Sequence, residues 1–400
     1  MKKSLLLFTL PALALASCSS DETVSAPEGN GIKFRASVET SGRGGLTTTA
    51  SINDFAVTSF GDSEASNYFN DVIVKRSGAN WQTDLYYWPN FDLKFFAYSP
   101  AAVNGKPVIT KDVQKINEFQ VARPTADQVD LLYSGNACSN SYNKDGVQLN
   151  FRHALSAIDI NARVTNPTLE YEINAVKICQ FNAKGNFSFP AVYGTMMDMI
   201  NNTAWSMLSN PQDYISKKAY GEKAFIKLNN SNESSGDTHP TGTSIMKDTD
   251  GSFLMIPQNL TPWSTNPKAA DGAYISVLCR VYTLDNKGGR TQIFPVLEAD
   301  GSNVGQYGFV AMPLDIKFQP GYRYVIRLDL NGGGYFDPNN TNPDDPEDPD
   351  IDPTPWPGTD PDPDPWPGPF NGTISYSVTV TGWYPAGDPV SNIVDFTDKN

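Results

Sequence analysis

The stretch NGTISYSVTVTGW, residues 371–383, alternates without a break: Ile374, Tyr376, Val378 and Val380 fall on one face, Ser375, Ser377, Thr379 and Thr381 on the other. A period of two in β-branched and aromatic residues predicts a strand with one face buried against a sheet. The segment lies near the C-terminus, beyond a tract dominated by aspartate and proline, so its sheet lies either far upstream or in another molecule. GIKFRASV (31–38) carries the same pattern at the other end of the chain, with Ile32, Phe34, Ala36 and Val38 on one face. Both segments place four apolar residues at positions one, three, five and seven of a seven-residue strand.

Between these ends the β pattern continues. INDFAVTSF (52–60), YFNDVIVKR (68–76), WQTDLYYW (81–88), FDLKFFAYS (91–99), AYISVLCRVYTL (273–284) and KFQPGYRYVIRLDL (317–330) are short runs parted by Gly, Pro, Asn and Asp. No long segment shows apolar spacing of 3.6 residues. The phase shifts between Val147-Leu149-Phe151 and Ile158-Ile160-Ala162-Val164, which predicts a bulge or sharp turn near residues 153–156. The fold class is all-β, most economically two β-sandwiches in tandem. The expected division is 31–188 for the first sandwich and 189–336 for the second, followed by a spacer at 337–368 and a terminal strand segment at 369–400.

The spacer holds eleven prolines and ten carboxylates between Asp337 and Gly368. Proline fixes φ and removes a donor while like charges repel, so an extended polyproline-like tract without a fold of its own is expected. Its Asp-x-Asp run lacks the glycine and closing Glu of a calcium loop. Much of the formal charge of −14 is concentrated there. No basic stripe exists to bind nucleic acid.

At the N-terminus, Lys2 and Lys3 precede an apolar run too short to span a membrane, ending at Leu15-Ala16-Ser17-Cys18. This resembles a bacterial lipobox, with residues 1–18 as the signal ending at the cysteine, Cys18 as the lipid acceptor (diacylglycerol and palmitate) and 19–30 as a polar tether. The mature chain would then be anchored to the outer membrane and face outward. Cys138, Cys179 and Cys279 are too widely spaced for a metal site and odd in number for a disulfide framework.

Signals for catalysis are sparse. The two histidines, His153 and His239, fall in no nucleophile elbow or metal-ligand spacing. Among 44 acids no carboxylate pair stands out. NGGGY (331–335) follows a strand but opens no helix, so it is a loop rather than a phosphate cradle. No enzyme activity, cofactor or metal is expected. Tyr86, Tyr87, Trp88, Trp205 and Trp263 offer a second reading, a cell-surface glycan-binding lipoprotein whose rings stack on sugars, against the simpler role of filling cores.

Five motifs in order, LYYWPNFDLKFFAYSP, VDLLYS, VQLNFRHALSAIDI, FLMIPQNL and KFQPGYRYVIRLDL, together with the lipobox, resemble the fimbrillin family of lipoprotein-derived pilus subunits. The resemblance implies two transthyretin-like Greek-key sandwiches, no catalysis, and a structural or tip role in fimbriae that serve adhesion. It further implies a maturation protease, other fimbrial subunits as partners, and assembly by donor-strand exchange. On that scheme Ile32, Phe34, Ala36 and Val38 form the displaced strand and Ile374, Tyr376, Val378 and Val380 the donor strand. Arg43, in the glycine-flanked SGRGG loop, is the expected cleavage point. The terminal strand can equally fold back onto its own chain or form part of a small extra module, since an intramolecular partner enjoys a high effective concentration.

Overall fold

The computed structural model describes residues 22–23, 31–38, 48–138, 146–190, 192–193, 196–197, 204–217, 225–232, 242–246, 251–265, 269–297, 299, 301, 305–345 and 372–382. Over these residues the chain is all-β, with three-residue 3₁₀ turns as its only helical elements. Cys18, Arg43, His239 and the tract from 346 to 371 lie outside the described residues.

The first sheet runs, in spatial order, Glu22–Thr23, Phe34–Val38, Val147–His153, Leu132–Cys138, Leu93–Ser99, Asp54–Phe60, Phe69–Ser77 and Asn80–Gln82. It curls so that Phe34 near one end and Trp81 at the other share a core with Phe55, Phe95, Leu149 and Phe151. The strands Asp54–Phe60 and Leu93–Ser99 are buried on both faces. Phe55 and Phe95 point into that core, while Phe60, Phe96 and Tyr98 belong to a second cluster. Burial on both sides explains why these strands read as nearly continuous apolar runs instead of alternating.

The expected break at 153–156 is real. His153 ends a strand of the first sheet, and Ser156–Arg163 opens the next, pairing in parallel with Tyr322–Asp329 from Ala157↔Arg323 to Arg163↔Asp329. Sheet membership therefore changes at Ala154-Leu155. One parallel pairing recurs: Phe34–Val38 lies beside Val147–His153, and Ser156–Arg163 beside Tyr322–Asp329.

A third sheet is organised on the long strand Leu169–Ser188. Its first part pairs with Tyr274–Leu284 and its last part with Gln114–Gln120. A sequence window of strand length cannot reveal this, because each part is patterned for a different neighbour. The strand kinks at Gln180, where φ is +62° and the register against Trp205–Lys217 slips between Ile178 and Phe181. Such a bulge re-aims the side chains on either side of it.

Candidate functional site

The two terminal strands of the sequence argument have different seats. Phe34–Val38 lies between Glu22–Thr23, antiparallel, and Val147–His153, parallel. Phe34 faces Val147, Ala36 faces Leu149 and Val38 faces Phe151. Ile32, Phe34, Ala36 and Val38 are all buried. Phe34 meets Phe55 and Phe95 edge-on, with ring centroids 6.2 and 5.9 Å away. The N–H of Ile32 donates to the carbonyl of Tyr86 at 2.7 Å, and Gly31 forms a bridge with Tyr87, so the loop at 83–91 closes over the entry of this strand.

Ser375–Gly382 adds to the other half. It pairs antiparallel with Tyr322–Asp329 from its own chain, setting Val380 beside Tyr324, Val378 beside Ile326 and Tyr376 beside Leu328. Ile374, Val378 and Val380 are buried in the large core, and Tyr376 packs on its edge. The Tyr376 hydroxyl donates to the carbonyl of Asp315 and accepts from its N–H, both at 3.2 Å. Within one chain the two strands thus fill different pockets. This is the folding-back arrangement that the sequence left open beside exchange between subunits.

NGGGY proves to be part of that seat. Gly333 forms a parallel bridge with Gly372. Side chains on Gly332 or Gly334 would run into Thr373 and Ile374. Gly333 and Gly334 have φ of +80° and +72°, a region that glycine enters without steric cost. The glycine run lets another backbone approach, which the sequence did not disclose.

A second feature escaped sequence reasoning altogether. Asp337, the expected first residue of the spacer, is buried against Lys177 on the long strand, Oδ2 to Nζ at 2.6 Å, and both side chains are 0% exposed. The ammonium also donates to the carbonyls of Asn339 (2.7 Å) and Thr341 (3.2 Å) and lies 3.9 Å from the centre of the Phe309 ring. Asp337 Oδ1 accepts from the Tyr274 hydroxyl (3.0 Å) and from the Asn339 N–H (2.7 Å). Asp213, beside the bulge, accepts from the Gln180 N–H and from Asn339 Nδ2. Burial alone disfavours the Lys177 ammonium, but Asp337 and the neighbouring charges hold its pKa above the ordinary lysine value. Burial pushes the Tyr274 hydroxyl far up, so it remains a donor. The start of the Asp/Pro tract is therefore fixed in the fold. Lys177 and Asp337 are 160 residues apart, and no local pattern links them.

Most of the remaining candidates are buried. His153 Nδ1 pairs with Asp130 Oδ2 at 2.8 Å, buried where the chain passes between sheets. Cys138, Cys179 and Cys279 are buried free thiols, and burial pushes Cys138 up to about 11. Of the five aromatic residues considered for sugar stacking, Trp88, Trp205 and Trp263 are buried and Tyr86 packs against the first core, which leaves Tyr87 exposed. Among the described residues no His, Cys, Asp and Glu cluster fits a metal ion, and no helix is long and apolar enough to cross a membrane.

The fimbrillin-like family model matches residues 35–343, well over half of the 400. The chain belongs to that family of fimbrial structural proteins. Among solved structures it is similar to a fimbrial protein from Bacteroides vulgatus, at 16% identity and a TM-score of 0.45 over 75% of this chain and 95% of that one. It is also similar to the fimbrial anchor protein Mfa2 from Porphyromonas gingivalis, at 10% identity and a TM-score of 0.30 over 88% and 98%. No curated protein matches.

Proposed function

We propose that the chain is a surface-anchored, non-enzymatic subunit of fimbriae with a role in adhesion, and that it assembles by exchanging its first strand for a strand of another subunit. The observation that carries this reading is the seat of residues 32–38. Four alternate side chains fill the first core, and the strand is held along one side by a single parallel ladder to Val147–His153. Removing it would vacate four apolar pockets and unpair one edge, which favours capture of an extended segment of the same spacing. The terminal strand has that spacing, with bulkier side chains, and sits at the outer end of its sheet, where it can detach without breaking a second ladder.

Lipid on Cys18 would tether the precursor to the outer membrane, and cleavage after Arg43 would release the lipidated segment together with the first strand. Arg35 pairs within the sheet, opposite Thr23 and Gln148, and is protected by that pairing. The glycan-binding alternative loses support because most of its rings lie in cores or pack against them.

Arg43→Ala and Cys18→Ala variants test maturation in the cells that make the protein. Arg43→Ala is expected to remain lipid-anchored and monomeric with its N-terminal segment intact. Cys18→Ala is expected to lose the membrane fraction. Normal fibre assembly by Arg43→Ala without removal of residues 19–43 would refute the scheme.

A further inference from the structure

We propose that Lys177 and Asp337 join in an intramolecular isopeptide bond. This goes beyond the fimbrial reading and does not depend on it. The amine nitrogen and the carboxylate are held in contact at 2.6 Å, both fully shielded from water. Asp337 Oδ2 is the carboxyl oxygen that faces the amine. Oδ1, in contrast, receives two donors, the Tyr274 hydroxyl and the Asn339 N–H. Two preorganised donors on one carboxyl oxygen are the arrangement that stabilises an oxyanion when the carbon is attacked. The Asn339 and Thr341 carbonyls hold Nζ in place, and the Phe309 ring supplies an apolar wall.

The step balances within the pair. The ion pair is the resting form, and the step starts from its minor neutral tautomer, in which one proton has passed from the Lys177 ammonium to Asp337 Oδ2. Nζ then attacks Cγ, and the negative charge develops on Oδ1 between its two donors. A second proton moves from Nζ to Oδ2, the Cγ–Oδ2 bond breaks, and water departs, leaving an amide with one hydrogen on nitrogen. No oxidant, metal or co-reactant is needed. Fixing both groups in the fold supplies a high effective concentration, and the product removes two buried charges whose desolvation is costly. The amide would tie the origin of the Asp/Pro tract covalently to the strand Leu169–Ser188. Tension along the tail would then fall on a covalent bond rather than on hydrogen bonds.

Intact-mass measurement of the purified full chain tests this without any variant. The expected mass is one water below that of the processed sequence, with a branched proteolytic peptide joining the segments around residues 177 and 337. Asp337→Ala and Lys177→Arg should regain the full mass. Asp337→Asn should reach the wild-type cross-linked mass through loss of ammonia, and Tyr274→Phe should slow formation. A wild-type mass equal to the uncross-linked sequence, with the two segments recovered as separate peptides, would overturn the proposal.

Discussion

Gly332 lies so close to Thr373 that any side chain on the glycine would occupy the space of the Thr373 carbonyl. The contact joins the end of Tyr322–Asp329 to the entry of the terminal strand, and the adjacent Gly333–Gly372 bridge continues it. A glycine is needed there only if another backbone is seated against it. Gly332→Val is therefore expected to expel residues 372–382 while the rest of the fold persists. Burial of Ile374, Val378 and Val380 contributes about 1.5–3 kcal/mol each when complete, so their release should be measurable. Hydrogen exchange across 374–382 is the readout, with protection lost in the variant and retained in the wild type. Unchanged protection would mean that the seat does not need the glycine.

Phe34 is the residue on which the first strand depends most. Its ring is enclosed by Phe55 and Phe95 and is 1% exposed. Phe34→Ala is expected to cost about 3–5 kcal/mol by loss of transfer energy and the cavity left behind. Chemical denaturation followed through the first core should show this. In full-length protein the variant should also lose protection of residues 32–38 before the remainder of the sheet.

Glu170 gives the fold a pH dependence with a definite sign. Burial opposes its charge, but hydrogen bonds from Lys227, Asn229 and Arg290 more than offset that and hold its pKa below the ordinary carboxylate value. A group whose pKa is lowered on folding contributes stability above its unfolded pKa, and that stability is lost as pH falls through the folded pKa. Glu170→Gln should therefore lower stability at neutral pH, by roughly 1–3 kcal/mol, and flatten the decline in acid. Denaturation curves from neutral pH downward check both effects. An unchanged acid slope would remove Glu170 as its source.

How much of this the sequence disclosed depends on the range of each interaction. Alternation along 32–38 and 374–380 was legible because a half-buried strand writes its face into every second residue. The phase shift at His153 marked the passage between sheets for the same reason. The partner of each strand was not legible. Tyr322–Asp329 accepts Ser375–Gly382 on one side and Ser156–Arg163 on the other, and nothing in the alternation of either neighbour specifies that choice. Leu169–Ser188 serves Tyr274–Leu284 and Gln114–Gln120 in turn as one continuous strand, and its alternation names neither partner. Asp337 was hidden by its company: a carboxylate at the head of an acidic, proline-rich tract looks solvated until a buried lysine is found facing it.

Assembly by strand exchange is the central claim, and deletion of residues 371–400 tests it most directly. The truncated precursor and the full chain are to be matured with trypsin, held at high concentration and run in SDS without boiling. Both should lose the N-terminal segment up to Arg43. The full chain is expected to form an SDS-resistant ladder and the truncated chain to remain monomeric. A ladder from the truncated chain, equal to that of the full chain, would contradict exchange through this strand.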